Sequence, residues 1–157
     1  MSGKTAGIPA EEYLCTRIRR AEQVLTAHHE AVLRGYGLTM TQYTVLLTLS
    51  REGGMSGAQL ARACGVTQQT MAPVLTGLQN KELVVRNASP VHAKVLIASL
   101  TGQGEALLNR AYEEVIVLER ALTDAFSPAE HTALVELLER ATTVLADQTR
   151  RAQEDRA

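Results

Sequence analysis

Two adjacent glutamines, Gln68 and Gln69, stand inside the stretch CGVTQQTMAPVLTGL, which runs from Cys64 to Leu78. A glutamine amide donates hydrogen bonds through its NH2 group and accepts them through its carbonyl oxygen. The edge of adenine in the DNA major groove offers the matching acceptor and donor, N7 and N6. Two amides at the start of a helix can therefore read base edges, and the alternative is that they are solvated surface residues.

The other reactive side chains form no enzyme pattern. No Gly-rich phosphate loop follows a strand, no nucleophile elbow occurs, and no paired carboxylates lie outside amphipathic helices. His28, His29 and Glu30 are adjacent, but neighbouring residues of a helix point to different faces. We therefore expect no enzyme activity, no metal site and no cofactor.

The charge of the chain is unevenly distributed. The total is −1, but residues 56–100 carry +3, residues 1–55 carry +1 and residues 101–157 carry −5. An anionic partner would be attracted to the middle segment and repelled by the C-terminal one. The sequence also lacks an apolar run of the roughly 18 residues that a membrane helix needs, and it lacks a signal peptide. We expect a cytoplasmic protein with no membrane contact.

The periodicity of apolar residues predicts the elements that position the glutamines. Residues 10–34 carry a stripe that advances by threes and fours, which is typical of a long helix. Thr39 or Thr41 can begin a second helix, which ends at REGG. Ser56 and Thr67 can cap a third and a fourth helix, joined by a tight turn at Gly65. This order, helix, glycine turn, helix, predicts a helix-turn-helix.

After Lys81 the spacing of the apolar residues changes. Residues 83–100 contain two β-rich runs joined by NASPVHA, which predicts a hairpin. Thr101 can cap a fifth helix, and Ser127, Pro128 and Glu130 predict the start of the last one. A hairpin behind a helix-turn-helix is a winged helix. The apolar stripes of the first, fifth and sixth helices lie outside it and favour burial against a second copy of the chain.

The predicted fold class is mainly α (α+β), a winged helix-turn-helix with a two-stranded wing and N- and C-terminal dimerisation helices. The predicted domain boundaries are a disordered tail at 1–9, dimerisation helices at 10–37 and 101–150, the winged helix-turn-helix at 38–100 and a polar tail at 151–157.

Three segments resemble the MarR-type family of transcriptional regulators. LTMTQYTVLLTL, SGAQLARACGVTQQTMAPVLTGLQNKELVVR and SLTGQGEALL match that family's helix 2, helix 3 to strand 2, and entry to helix 5 without gaps. The most specific part is the frame L-A-x-x-x-G-V followed by a recognition helix. The resemblance implies a homodimer that binds double-stranded DNA and responds to small, commonly aromatic ligands or to oxidants.

On this resemblance the helix that follows Thr67 is the recognition helix, and Gln68 and Gln69 are the leading base readers. Pro73 has no N–H and would bend or delay the helix if it begins at Gln68. The residues predicted to contact DNA are Ser56, Gln59, Thr67, Gln68, Gln69, Thr70, Pro73, Thr76, Lys81, Arg86, His92 and Lys94.

The wing departs from the family's pattern. Family members carry an Asp-Arg pair at the wing tip, and the arginine enters the minor groove. The matching positions here are His92 and Ala93, with Lys94 next. A neutral histidine lacks the permanent charge that a narrow A·T minor groove attracts. We therefore expect weaker anchoring of the wing.

Cys15 lies 28 residues before Tyr43, where the organic-hydroperoxide sensors of the family place their reactive cysteine. The tyrosines that hold the thiolate in those sensors correspond here to Arg19, His29 and Met40. Arg19, one helical turn further along, places a positive charge near the thiol. Cys15 is therefore either a redox sensor or a small packed residue at a dimer interface.

The resemblance also implies a ligand pocket where the dimerisation helices meet the winged helix, although core packing explains the same residues equally well. The predicted lining residues are Cys15, Arg19, His29, Tyr36, Met40, Tyr43 and Tyr112.

The sequence thus predicts a dimeric regulator, a repressor, that binds a pseudo-palindromic operator and is released by a small molecule or an oxidant. One alternative is a dimeric protein of the same fold that sequesters a related regulator without binding specific DNA. Another is a cysteine-based hydroperoxide sensor that uses Cys15. A steep loss of DNA affinity with salt distinguishes a DNA-binding protein from a sequestering one.

Overall fold

The structure, a computed structural model, describes residues 13–91 and 94–155. The chain divides into two compact units, one that ends at Val115 and one that begins at Ile116. No helix in the described part is long and apolar enough to cross a membrane. The elements of this part are, in order, α1 (Leu14–Arg34), α2 (Met40–Glu52), β1 (Met55–Ser56), α3 (Gly57–Ala63), α4 (Gln68–Asn80), β2 (Val84–Ala88), β3 (Leu96–Leu100), α5 (Gly102–Asp124) and α6 (Pro128–Glu154).

The described residues cover the predictions for the two ends of the chain only in part. The predicted tail at residues 1–9 and the predicted helix start at Ala10 lie outside the described residues, and α1 begins at Leu14. At the other end α6 extends to Glu154 and so includes the first four residues of the polar tail predicted at 151–157. Residues 151–154 are Arg, Ala, Gln and Glu, which are all favourable in helices and continue the preceding turns.

Polar side chains set the helix starts in the unit that ends at Val115. Thr39, and not Thr41, caps α2, because its Oγ1 accepts a hydrogen bond from the backbone N–H of Gln42 at 3.2 Å. The Gln42 side chain accepts the N–H of Thr39 in return. Ser56 and Gln59 form the same reciprocal capping box at the start of α3. Each box satisfies two backbone donors that a helix start leaves unpaired.

The turn between α3 and α4 has the predicted geometry. Gly65 has φ +67°, the left-handed conformation that glycine adopts without steric cost. The N–H of Val66 donates to the carbonyl of Ala61 at 2.9 Å, which closes the end of α3. Thr67 then caps α4, since its Oγ1 accepts the N–H of Thr70 at 3.1 Å.

The sheet has three antiparallel strands in the order β1-β3-β2. The hairpin predicted between residues 83 and 100 is confirmed by β2 and β3, in which Val84 pairs with Leu100 and Ala88 pairs with Leu96. The short strand β1 was not predicted. It has only two residues, too few for an alternating pattern to be visible in the sequence.

One core holds the elements of the first unit together. Side chains from α1, α2, α3, α4, the sheet and α5 all contribute to it. Its buried hydrophobic residues are Leu33, Leu38, Tyr43, Val45, Leu46, Leu49, Leu60, Ala61, Met71, Leu75, Leu78, Leu83, Val84, Ala98, Leu108 and Ala111. The orientation of α4 is therefore fixed by packing against several elements at once.

The first turn of α5 is joined to the residues before β2. The Thr101 hydroxyl donates to the carbonyl of Glu82 at 2.6 Å. Its oxygen, Oγ1, also accepts the N–H of Gly104 at 3.0 Å. The N–H of Thr101 donates to the carbonyl of Leu83 at 3.1 Å. The predicted cap at Thr101 is thus confirmed. Gly104 lies so close that a Cβ atom there would stand 2.0 Å from the carbonyl oxygen of Leu83.

The start of α6 in the second unit also matches its prediction. Pro128 occupies the first turn, and Ser127 and Glu130 form a capping box. The Glu130 carboxylate accepts the hydroxyl and the N–H of Ser127 at 2.7 and 2.9 Å. These hydrogen bonds, the hydroxyl's first, lower the pKa of Glu130 because they favour its charged form. The box is therefore complete at neutral pH and weakens as pH falls through that lowered pKa.

We expect Gly104→Ala to lower the free energy of unfolding by about 1–3 kcal/mol, because its methyl group overlaps a backbone carbonyl that cannot move without shifting β2. Urea unfolding measures the change. Gly102→Ala is the matched control, since a Cβ there has nothing within 4 Å and alanine favours helix. Equal stability of the two variants would contradict the close approach of α5 to Leu83.

We expect Thr67→Ala to lower the free energy of unfolding by about 1 kcal/mol, because the N–H of Thr70 loses its acceptor. Thr76→Ala serves as the control on the same helix. The Thr76 hydroxyl only donates to the carbonyl of Ala72, one turn earlier, and alanine there is neutral or slightly stabilising. Thermal or urea unfolding of both variants checks the difference, and a loss in Thr76→Ala as large as in Thr67→Ala would count against it.

Candidate nucleic-acid interface

The helix α4 has one buried face and one exposed face. Met71, Leu75 and Leu78 are buried. Gln69 and Thr76 lie seven residues apart on the opposite side and are exposed, with Ala72 and Pro73 between them. Gln68 and Thr70 are exposed in the first turn. The structure therefore exposes both predicted base readers, Gln68 and Gln69, in the first turn of one capped helix.

Pro73 lies within α4, which begins at Gln68. The helix is thus not delayed, contrary to one of the two effects expected from this proline. Pro73 withholds a single N–H, the one that would bond the carbonyl of Gln69. The cap at Thr67 and the buried face of α4 outweigh that loss.

Ser56 and Gln59 are used within the protein. Oε1 of Gln59 accepts the N–H of Ser56 at 2.8 Å and its hydroxyl at 2.9 Å. The two residues therefore hold the start of α3, and their predicted contacts with DNA remain a prediction. Thr67 likewise serves first as a cap, and its hydroxyl lies 2.9 Å from that of Thr70.

The basic residues of the middle segment stand in different surroundings. Lys81, just after α4, donates Nζ to the carbonyl of Gly37 and to Oε1 of Gln42. Arg86, on β2, is half-buried, and its Nε is buried with no hydrogen-bond partner. Lys94 is exposed. Of the three, Lys94 most readily meets a phosphate without giving up contacts within the protein.

The predicted wing tip is only partly described. His92 and Ala93 lie outside the described residues, so the expected effect of the missing arginine stays a prediction. Val91 before them is exposed, with 79% of its surface accessible. The described flanks of the hairpin thus reach solvent on the same chain segment that carries Lys94.

Two of the residues predicted to line a ligand pocket line different cavities. Met40 borders a cavity of about 320 Å³ between the end of α1 and the start of α2, whose lining residues are Glu30, Arg34, Gly37, Leu38, Thr39 and Met40. Tyr112 borders one of about 210 Å³, lined by Leu47, Ser50, Arg51, Leu108, Asn109 and Tyr112. The predicted set as a whole remains a prediction.

Two further tyrosines of that set have shifted pKa values. The hydroxyl of Tyr36 donates to Oε1 of Glu114 at 2.5 Å, and this hydrogen bond raises the pKa of Tyr36, with burial adding to it. Burial raises the pKa of Tyr43 as well, and the nearby Tyr112 contributes in the same direction. Both phenols therefore stay protonated at neutral pH, and Tyr43 belongs to the core.

Cys15 is exposed on α1, and Arg19 one turn further along is also exposed. Cys64 is half-buried, with its Sγ 4.0 Å from Oγ1 of Thr48. His29 is half-buried, and its ring lies edge-on to that of His28 at 6.1 Å between centroids. Among the described residues no group of three or more His, Cys, Asp and Glu could hold a metal ion.

The predictions from the sequence do not include the contacts that three residues make near this surface. Gln42 and Gly37 accept the hydrogen bonds of Lys81, and Gly104 allows α5 to approach Leu83. The Thr39-x-x-Gln42 spacing of a capping box was a readable signal for Gln42. The contacts of Gly37 and Gly104 join distant parts of the chain and leave no local pattern.

Comparison with known proteins gives a consistent result. A model of the MarR family matches residues 36–94. The HTH-type transcriptional repressor Rv2887 of Mycobacterium tuberculosis is 40% identical over 92 residues, which are 59% of this chain and 66% of that protein's length. The match therefore covers a little under two thirds of that repressor.

Solved structures agree. The crystal structure of the MarR family protein Rv2887 of Mycobacterium tuberculosis in complex with p-aminosalicylic acid is 32% identical, with a TM-score of 0.62, over 83% of this chain and 98% of that one. The transcriptional repressor CouR, bound to a 23-mer DNA duplex, is 26% identical, with a TM-score of 0.74, over 84% and 94% of the two chains. The fold, the helix-turn-helix and these similarities together confirm the resemblance drawn from the sequence: the chain belongs to the MarR family of transcriptional regulators.

Proposed function

We propose that this protein is a dimeric transcriptional repressor that binds a pseudo-palindromic operator through α4 and the wing and is released by a small molecule. The observation that carries the proposal is the exposed face of α4. Gln69 lies on that face, and Gln68 is exposed beside it in the first turn of the helix, whose other side is buried. In helix-turn-helix proteins the N-terminal residues of the second helix contact base edges in the major groove.

Two relatives support the two parts of the proposed function, which are repression through DNA binding and release by a small molecule. CouR is described as a repressor bound to a DNA duplex, and Rv2887 is named a repressor and has been crystallised with p-aminosalicylic acid. The cavity beside Met40 is lined by both Arg34 and Glu30, and the Arg34 guanidinium can pair with the carboxylate of a small aromatic acid. We place the releasing ligand there.

Dimerisation is proposed from exposed apolar side chains. None of the 27 residues of α6, all of which the structure describes, is buried. On that helix Leu134, Leu137 and Leu138 each expose more than a third of their surface. An exposed apolar stripe of this length favours a protein partner, and a two-fold dimer gives the assembly two copies of α4. Half-sites would then recur about one DNA turn, ~10 bp, apart.

Each of the two alternative functions is favoured by one observation. A sequestering protein without specific DNA binding is favoured by the absence of an arginine at the wing tip. A hydroperoxide sensor is favoured by the exposure of Cys15. Selection of bound genomic fragments, with and without an organic hydroperoxide, separates all three. A sequestering protein would select no specific fragment, and a sensor would lose its fragment on oxidation.

With the selected operator in hand, we expect Gln69→Ala to weaken specific binding about 10- to 100-fold, because a bidentate amide contact to adenine contributes about 1–3 kcal/mol. Gln68→Ala should have a smaller effect, since Gln68 lies nearer the buried side of the helix. Gln79→Ala is the matched control at the other end of α4, where it is also exposed. Fluorescence anisotropy measures the affinities. Unchanged affinity in both Gln68→Ala and Gln69→Ala would refute base reading by these amides.

We expect Leu138→Glu to shift the protein from dimer to monomer and to abolish tight operator binding, because it places a charge in the apolar stripe of α6. Thr132→Glu introduces the same charge on the opposite face of the helix and should leave the dimer intact. Sedimentation velocity at micromolar concentration distinguishes the two. A wild-type protein that sediments as a monomer would exclude the proposed dimer.

A further inference from the structure

Lys81 follows directly after α4, and its ammonium group donates hydrogen bonds to a distant part of the chain. Nζ donates to the carbonyl oxygen of Gly37 at 2.5 Å and to Oε1 of Gln42 at 3.0 Å. These acceptors are 44 and 39 residues away in sequence. Gly37 lies in the loop between α1 and α2, and Gln42 lies in the first turn of α2. Lys81 thus joins the end of α4 to the beginning of α2.

The acceptor Gln42 is itself held in place. Its Oε1 also accepts the N–H of Thr39 at 3.2 Å, and its own N–H donates to Oγ1 of Thr39 at 3.2 Å. A Cβ at Gly77 would lie 3.1 Å from Nε2 of Gln42. Because Gly77 and Lys81 are four residues apart, they lie on the same side of the helix end. The Gln42 amide therefore packs over Gly77 while it accepts from Lys81.

The backbone around Lys81 is fixed as well. The N–H of Lys81 donates to the carbonyl of Gly77 at 3.2 Å, and the N–H of Leu83 donates to that of Leu78 at 3.0 Å. Between them Glu82 has φ 59°, a left-handed conformation typical of a helix end. The position of Nζ is thus set by an anchored backbone at one end and two anchored acceptors at the other.

A small tilt of α4 about its C-terminal end displaces its N-terminal end by a distance that grows with the length of the helix. The helix has 13 residues and is therefore about 20 Å long. A tilt of about 5° at Lys81 would move the first turn, with Gln68 and Gln69, by about 1.7 Å. A displacement of that size is enough to break hydrogen bonds to base edges, whose donor and acceptor atoms lie about 3 Å apart.

We propose that Lys81 is a positioning residue of the recognition helix, which aligns α4 through Gly37 and Gln42, and that it does not contact phosphate. The inference rests on the proposed function, since it concerns how α4 reads an operator. A phosphate contact would require Nζ to leave two acceptors that are already placed for it. Lys81 acts on specific binding by fixing the tilt of α4, whereas Lys94, which lies in the wing, acts on all DNA by its charge.

Salt dependence separates these two roles. Operator affinity is measured from low to high NaCl for the wild type, Lys81→Met, Gln42→Met and Lys94→Met, with a scrambled duplex as the non-specific probe. A lysine that contacts phosphate contributes about 0.9 to the slope of log affinity against log salt. Lys81→Met and Gln42→Met should each lose about 10-fold in specific affinity, keep the wild-type slope and bind the scrambled duplex as the wild type does.

Lys94→Met is the matched lysine control and should lower the slope by about 0.9 for each subunit of the dimer that contacts the duplex, while weakening both duplexes. The same pattern in Lys81→Met would overturn the inference, because it is the signature of a phosphate contact. Unchanged specific affinity in both Lys81→Met and Gln42→Met would overturn it too. The double variant should lose less than the product of the two single losses, since both changes remove the same contact.

The failure of the proposed function would look different. If the wild type selects no specific fragment, the repressor proposal fails. The contact between Lys81 and Gln42 is then tested by urea unfolding of the two single variants and the double variant. Midpoint shifts smaller than additive support the coupling of Lys81 to Gln42, and additive shifts overturn it.

Discussion

Burial of one face of α4 is the constraint on which the candidate interface depends. Met71, Leu75 and Leu78 are almost completely buried, and each contributes about 1.5–3 kcal/mol by removing apolar surface from water. A rotation of α4 by half a turn would expose all three. Hydrogen bonds of an exposed group such as Lys81 are each worth about 1 kcal/mol or less. The core therefore decides which face of α4 meets solvent, and the polar contacts at its ends refine its tilt.

The two ends of α4 are fastened by different means. At the start, Thr67 supplies a cap from the neighbouring residue in the chain. At the end, the residues after the helix are held by hydrogen bonds: Lys81 donates to the start of α2, and the carbonyl of Leu83 accepts the N–H of Thr101, which caps α5. Glu82 takes part through its carbonyl, which accepts the Thr101 hydroxyl. The end of the recognition helix, the residues that precede β2 and the residue that caps α5 thus share one set of hydrogen bonds.

Features set by a few neighbouring residues could be predicted from the sequence. Caps at Ser56, Thr67 and Ser127 and the turn at Gly65 depend on local chemistry, and all four are confirmed. Contacts between distant segments could not be predicted. The strand β1 exists because β3 offers it a partner. The sequence shows Lys81 only as a charge in a basic segment, because nothing local reveals that its acceptors lie in another helix. For the same reason the predicted pocket residues could be named from a family resemblance but not grouped by cavity.

Not every cation of the basic middle segment is placed to contact a phosphate directly, and this bears on the assembly. Of the cations in the basic middle segment, Lys81 is bonded within the protein, and the Nε of Arg86 is buried. Arg62 and Lys94 are exposed. Non-specific affinity rises with the number of phosphates neutralised, so a single copy of this surface would hold a duplex weakly. Linking two such surfaces makes the second contact intramolecular and raises the affinity without new charge. The exposed stripe of α6 and the modest charge around α4 therefore favour the same arrangement, in which specificity comes from the amides of α4 and affinity from having two copies.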